Sequence, residues 1–567
     1  RLPLAMAASL GLVPTMPNAR QGESSRLLKD DDPLETVLLD PPSAAAVEGS
    51  DFVPRLKKSV VWMYGVGETG VWASHVIIGF YLNTFLLEVS GLAASKAGNV
   101  LLIGQIWDAI INPIIGTLSD TLTTRWGRRR PWIILAALPF TLAYFALWMV
   151  WYDASQSMLF GYYVLVYLIF TTASNSMAVP FTALTSDLAS TYDHATELTQ
   201  ARMLCNLVVG VTASFTHSIF VELFSYQRSK EAINYRLGYM LSAFIWASIF
   251  FIPPLVVFFG IREKPFVSNK EFDENAKGGV LAFLKKMGKL WISVFSTLKN
   301  RAFMILTIFY FLSWTSVQLV QNNLFLYDKY VIRKESSFTW IMLLLQLVAA
   351  ASLFGWSFVS RKIGKRLTFI IGLSLWCAVS VGNYWMTDKT PLWAVYVSVT
   401  ICAIGVSVTF LIPWSMIPDI IDQDEVEYGS RREGVFYSLF VLFQKVGLAI
   451  ALSSSSYALS GFGYISPAEA NPEGDPLYQP SGVIMTLKLI NGPIPAIMLA
   501  LAMVACFFYP LGRKAVADNA EILKKRRADA DSISKPAFVP KKDDSSDVSF
   551  DIDDAGVGSG TENLRNG

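Results

Sequence analysis

Apolar runs long enough to cross a bilayer recur along most of this chain, and no other feature restricts its fold so tightly. A spanning helix needs about 20 apolar residues, because each residue advances ~1.5 Å through a hydrocarbon layer ~30 Å thick. Twelve such runs are read at 59–87, 97–118, 131–151, 158–185, 201–223, 237–260, 302–326, 337–359, 367–387, 391–417, 434–460 and 482–510. Within hydrocarbon the backbone must satisfy its own hydrogen bonds, which leaves helices and closed barrels. Barrel strands would alternate apolar and polar residues, and these runs do not. The expectation is an all-α polytopic membrane protein with twelve transmembrane helices in two six-helix bundles.

Charge is sparse where the runs lie and concentrated between them. Charged residues make up 16% of the 567 residues, against roughly 25% in a soluble domain. The net charge of +2 and the lack of a basic aromatic stripe give no reason to expect nucleic acid as a partner. Cys205, Cys377, Cys402 and Cys506 all lie in apolar segments, with neither disulfide nor metal spacing. Positive residues favour cytoplasmic loops. Arg125, Arg128, Arg129 and Arg130 follow span two; Arg361, Lys362, Lys365 and Arg366 follow span eight; the long loop after span six is rich in lysine. Both termini are therefore expected in the cytoplasm.

The division follows: a disordered cytoplasmic tail at 1–58, a six-helix bundle at 59–261, a basic cytoplasmic loop at 262–301, a second six-helix bundle at 302–510 and a disordered cytoplasmic tail at 511–567. In the loop, Phe283, Leu284, Met287, Leu290, Trp291 and Val294 share one face of an amphipathic helix over 280–291. Such a helix lies on the inner leaflet or docks on the bundle. The tail carries Glu23-Ser24-Ser25-Arg26-Leu27-Leu28, an acidic dileucine pattern of low specificity.

The halves resemble each other. Span two runs into SDTLTTRWGRRR and span eight into SRKIGKR. Val179-Pro180-Phe181 precedes Asp187 at the end of span four, as Ile412-Pro413-Trp414 precedes Asp419 in span ten. Repeated halves joined by a loop are a transporter's construction, with the substrate held between them near the midplane.

Polar residues inside the spans carry the functional signal. The stretch IWDAIINPIIG, with Gln105 just before it, places Gln105, Asp108 and Asn112 on one helical stripe. A carboxylate at bilayer depth costs roughly 2.5–3.5 kcal/mol on insertion scales, so Asp108 reads as a site for a small cation or a proton. Pro113 frees a carbonyl one turn back. Lys445 lies too deep in span eleven to snorkel; a buried ammonium needs a partner, and Asp108 in the other half is the expected one. Arg202 opens span five, where it either grips an anionic group or marks the membrane edge. His75 and His217 read as packing residues. Gly65-Val66-Gly67-Glu68-Thr69-Gly70 spells G-x-G-x-x-G without a preceding strand, so it reads as close helix packing and not a dinucleotide site. No H-E-x-x-H, P-loop or G-x-S-x-G occurs, so an enzyme is not expected. A receptor or scaffold of this topology would have no use for an acid and a base in the bundle core.

IWDAIINPIIG followed by RWGRRRPW, together with AVPFTALTSD, FLIPWSMIPDIID, GSRREGVFYSLF and the lysine of FQKVG, resembles the glycoside–pentoside–hexuronide:cation symporters of the major facilitator superfamily. The resemblance covers residues 59–510. FLIPWSMIPDIID is especially similar to the lysophosphatidylcholine-symporter branch. The resemblance implies the major facilitator fold, alternating access and a cation-coupling site at Asp108, Asn112 and Asn175. Asn112 stands where the family has a second carboxylate, so the coupling ion is sodium or a proton, and no other cofactor is implied. It implies substrate contacts at Lys445, Arg202, Gln105, Trp72 and Ala178. The last two stand where the sugar carriers have carboxylates, and neither side chain can accept a sugar hydroxyl's hydrogen bond. A lysophospholipid-like amphiphile is therefore favoured over a sugar. Gating is expected from Arg125, Arg128, Arg129, Arg130, Arg361 and Lys362 against Asp187 and Asp419. The expected setting is a monomer among membrane lipids, in the plasma membrane or an endomembrane.

Overall fold

A computed structural model describes residues 56–121, 124, 126–151, 154–189, 192–224, 226–229, 232–263, 297–429, 432–466 and 477–534. Twelve helical segments in it are long and apolar enough to span a membrane: Lys58–Val89, Ala94–Gly116, Arg130–Leu147, Gln156–Thr185, His194–Phe224, Arg236–Gly260, Arg301–Ile332, Glu335–Ile363, Lys365–Asn383, Leu392–Tyr428, Gly434–Gly461 and Ser481–Phe507. Each overlaps one expected run. Spans seven and ten extend past the sequence reading. Polar residues such as Asp419 and Asp424 continue the helix of span ten to Tyr428, where Gly429 takes φ 73° and ends it.

The internal repeat extends to irregularities that hydropathy does not reveal. Spans one and seven, the first of each half, both finish in a π-helical turn, Phe85–Val89 and Asp328–Ile332. Spans six and twelve are each two helices meeting at a break beside proline, Arg236–Phe250 with Ile252–Gly260 and Ser481–Asn491 with Pro493–Phe507. The residue at the second break is Gly492. A Cβ there would sit 2.7 Å from the Lys488 carbonyl oxygen and 3.0 Å from that of Ser380, so no larger residue fits without moving backbone.

The packing is asymmetric along the membrane normal. At the end where spans one, seven and eleven finish, both halves share one core. Phe85, Leu86 and Trp148 of the first half are buried with Tyr330, Ile341 and Leu459 of the second. At the end bearing the termini the cores are separate, one around Tyr64, Phe181 and Val257, the other around Phe309, Trp376 and Trp414. The two halves are therefore joined at one end by shared apolar burial, the dominant cohesive term in a packed core, and keep separate cores at the other.

Two features depart from the sequence reading. Tyr226–Ser229 and Ala232–Asn234 form a two-stranded antiparallel hairpin between spans five and six. The tail expected to be disordered from 511 instead forms a helix, Arg513–Ser534. Ala, Leu, Lys, Arg and Glu are strong helix formers. Leu523 is buried, and Ala515 and Val516 pack on the core of the second half. Arg526 Nη1 also donates to the Val426 carbonyl at the end of span ten, 3.0 Å away. The 280–291 helix, the dileucine pattern and most of the 1–58 tail lie outside the described residues.

Candidate functional site

The sequence stripe in span two resolves into one cluster joining the halves. Asp108 Oδ2 lies 2.5 Å from Lys445 Nζ of span eleven. Its other oxygen accepts a 2.5 Å hydrogen bond from Asn175 Nδ2 of span four. Asn175 is itself held by donating to the Thr171 carbonyl at 2.9 Å. The carboxylate is thus bonded on both oxygens, which a charge withdrawn from water requires. Both partners of the pair keep some access, with side chains 17% and 21% exposed. Next to it, Gln105 Nε2 donates to Tyr167 Oη at 3.2 Å and Trp107 Nε1 to Thr172 Oγ1 at 2.8 Å.

The other expected site residues are dispersed. Asn112 lies half-buried one turn beyond Asp108 and makes no side-chain bond to the cluster among the described residues. Trp72 packs on span five at Gly210, where a Cβ would meet its indole nitrogen at 2.8 Å. Ala178 is half-buried in span four. Arg202 was expected to face substrate; it is 1% exposed and its Nε lies 3.5 Å from Glu68 Oε2 of span one. Asn206 Nδ2 donates to that same Glu68 oxygen at 3.0 Å. Glu68 is the central acid of the dismissed G-x-G-x-x-G, and sequence reasoning missed it. The glycines do what was expected of them: Gly65 lies against the Ala201 backbone and Gly70 against the Phe250 backbone. His217 packs among Tyr81, Trp148 and Tyr239 and shares a 2.8 Å hydrogen bond with Ser242. His75 Nδ1 lies 2.8 Å from the Val71 carbonyl oxygen.

The basic motifs pair with the expected acids, each within its own half. Arg129 Nε lies 2.6 Å and Arg128 Nη2 3.5 Å from Asp187. Burial pushes the Asp187 carboxyl above the ordinary carboxylate range, against the downward pull of Arg129 and Arg128. In the second half the matching cation is Lys365, 2.6 Å from Asp419. Gly127 and Gly364, the glycines before Arg128 and Lys365, both hold positive φ, 110° and 90°. The repeat therefore reproduces the same glycine–cation–acid link twice. Arg361 and Lys362, expected to gate, are exposed and bridge no acid among the described residues; Lys365 reaches Asp419 because the chain reverses at Gly364. Arg130 donates to the Phe258 carbonyl, and Arg125 lies outside the described residues.

Glu263, also missed, explains the glycine of RWGRRR. Its carboxylate accepts the backbone N–H groups of Arg128 at 2.6 Å, Arg129 at 3.0 Å and Arg130 at 2.6 Å. These are orphan donors at the start of span three. A Cβ at Gly127 would sit 2.6 Å from Glu263 Cδ. Glu263→Ala should therefore cost about 2 kcal/mol, since hydrogen bonds to a charge contribute roughly 1.5–3 kcal/mol. A lowered midpoint of thermal unfolding in detergent, with Glu263→Gln intermediate, is the expected measurement.

The charged contact that spans the halves at the closed end was not foreseen. Glu88, in the π-turn of span one, accepts from Lys329 at 2.6 Å and Tyr330 at 2.7 Å in the π-turn of span seven. It also accepts from Tyr464 just beyond span eleven. Lys329 is further flanked by Glu335 at 3.9 Å.

Twelve spans in two repeated halves, closed at one end and joined across the middle by an acid–base pair, define a transporter of the major facilitator fold. A family model described as MFS/sugar transport protein matches residues 63–513, and the chain belongs to that family. An uncharacterized symporter of Synechocystis is 30% identical, over 82% of this chain and 96% of its own length. The sodium-dependent lysophosphatidylcholine symporter 1 of Gallus gallus is 26% identical, over 87% of this chain and 94% of its own. A sphingosine-1-phosphate transporter of Xenopus tropicalis is 26% identical, over 79% and 87%. Among solved structures, an inward-facing, unoccupied bacterial homolog of the human lysosomal transporter Spinster superposes with a TM-score of 0.58 at 15% identity, covering 81% of this chain and 97% of that one. That likeness supports the fold alone. The chain is an integral, multi-pass membrane protein.

Proposed function

We propose that this transporter is a cation-coupled symporter that carries a lysophospholipid-like amphiphile by alternating access. The observation that carries the reading is the Asp108–Lys445 pair, made across the two halves and stabilised by Asn175. A cation or proton arriving at Asp108 competes with the Lys445 ammonium for the same carboxylate. Loading the ion frees the ammonium, which then meets the acidic headgroup of the substrate. The empty transporter keeps its charges paired, and ion and substrate together replace that pairing. Asp108 and Asn175 supply the coupling oxygens, with Asn112 one turn away. The ion is sodium or a proton, since one carboxylate serves either. Arg202 contributes as a buried cation held by Glu68. The links at Asp187 and Asp419 brace the cytoplasmic ends of the halves while they rock.

The lipid-like substrate rests on similarity to two lipid transporters, on Trp72 and Ala178 where sugar carriers have acids, and on two cations within the spans. The reading includes a monomer in the plasma membrane with both termini cytoplasmic. Uptake into proteoliposomes tests it. Labelled lysophosphatidylcholine should accumulate faster than a labelled glycoside, and an imposed sodium or proton gradient should drive it. Faster glycoside uptake would replace the substrate reading with a sugar symporter. Uptake indifferent to both gradients would remove the coupling, and absence of any uptake would favour a receptor or scaffold.

A further inference from the structure

A cluster of cations that form no ion pair among the described residues lies at the ends of spans eight, nine and twelve. Lys362 Nζ stands 4.4 Å over the Phe358 ring, and the Arg366 guanidinium 4.8 Å over the Phe507 ring. Both rings are exposed, by 59% and 61%, at the ends of segments long and apolar enough to span the membrane. They hold the two cations at the border of the hydrocarbon. Arg513, the first residue of the C-terminal helix, reaches the same place and donates to the Lys362 carbonyl at 3.4 Å. Two segments distant in sequence, 358–366 and 507–513, thus bring three charges together.

Among the described residues, none of the three cations forms an ion pair, and acids are sparse in the segments that carry them. No Asp or Glu occurs between Glu335 and Asp388, nor between Asp475 and Asp518. Of the acids of span ten, Asp419 pairs with Lys365 and Asp424 with Arg432, and none bridges Lys362, Arg366 or Arg513 among the described residues. The nearest acids along the C-terminal helix are Asp518 and Glu521, and Glu521 pairs with Lys525 at 2.9 Å. Ordinary surface cations intersperse with acids. Among the described residues these pair with none, although the arrangement concentrates repulsion at one spot.

We propose that this cluster is a binding site for an acidic phospholipid of the cytoplasmic leaflet. The headgroup phosphate sits among Lys362, Arg366 and Arg513, and the acyl chains lie along Phe358 and Phe507. The rings fix the cations at headgroup depth and offer an apolar flank, which a free anion in water would not use. The site lies on the outer surface of the second half, away from the Asp108 cluster, and does not depend on which substrate is carried.

Full-length protein in a neutral detergent is titrated with fluorescent phosphatidylglycerol and, separately, fluorescent phosphatidylcholine. Phosphatidylglycerol should bind more tightly. The triple variant Lys362→Gln, Arg366→Gln, Arg513→Gln should lose on the order of 100-fold in affinity for it, the size expected for three juxtamembrane charges. The charge-keeping variant Lys362→Arg, Arg366→Lys, Arg513→Lys should retain it, which separates the site from general misfolding. Lys524→Gln with Lys525→Gln, on the same helix, should leave affinity unchanged. Equal binding of both lipids, or an unaltered triple variant, overturns the proposal. Displacement by millimolar inorganic phosphate does so too, because it makes the cluster a free-anion site.

Discussion

Lys445→Ala should reduce substrate uptake to background. Removing one member of a withdrawn ion pair leaves the other charge uncompensated, at a cost of about 3 kcal/mol or more. Asp108 would keep only the Asn175 hydrogen bond. The same loss is expected for Asp108→Ala, which also removes the ion's carboxylate. Lost stability alone explains neither result if the exchanged pair is examined as well. Asp108→Lys with Lys445→Asp restores an ion pair between the halves and should recover expression and thermal stability. It should not recover transport, because Asn175 Nδ2 would then present a donor to an ammonium and the coupling ion would find its carboxylate on the wrong half. Thermal midpoints and proteoliposome uptake of the three variants decide the matter. Full transport by the exchanged pair would reduce Asp108–Lys445 to a static bridge and sink the coupling role.

That pair was legible in the sequence for a physical reason. A charge inside an apolar run is costly wherever the chain folds, so Asp108 and Lys445 had to answer each other or something like each other. The span count was legible on the same ground. What escaped were charges whose cost hydropathy disguises. Glu68 sits in a run of glycines that read as packing, and only the fold brings Arg202 and Asn206 to it. Glu263 follows a span, where a charged residue needs no explanation, and its role depends on backbone N–H groups that leave no mark in sequence. Arg361 and Lys362 were grouped with Lys365 as one basic motif. The turn at Gly364 separates them, sending Lys365 inward to Asp419 and leaving the other two at the surface. The C-terminal helix was hidden because its apolar face is narrow, with Ala515, Val516 and Leu523 among many charges. It is held by docking on its neighbours.

Glu88→Gln should loosen the closed end and shift the halves away from this arrangement. The Glu88 side chain is only 4% exposed and that of Lys329 only 10%, so the change leaves an ammonium withdrawn from water beside a neutral amide. Glu88 accepts from Lys329, Tyr330 and Tyr464 together. Hydrogen bonds to a charge contribute roughly 1.5–3 kcal/mol each, and losing about 3 kcal/mol changes a two-state equilibrium roughly 100-fold. The link joins the π-turns that end the first span of each half, so the internal repeat places an acid on one copy and a cation on the other. A contact of that kind stabilises one state of an alternating cycle and must break in the other. Ser90, buried just beyond the first π-turn, offers a reporter. In a background with Cys205, Cys377, Cys402 and Cys506 replaced, alkylation of Ser90→Cys by a membrane-impermeant maleimide should accelerate when Glu88→Gln is added. Lys329→Gln should do the same. The double variant should exceed neither by much, since both remove one link. Unchanged alkylation in both single variants would mean that the shared apolar core alone closes this end.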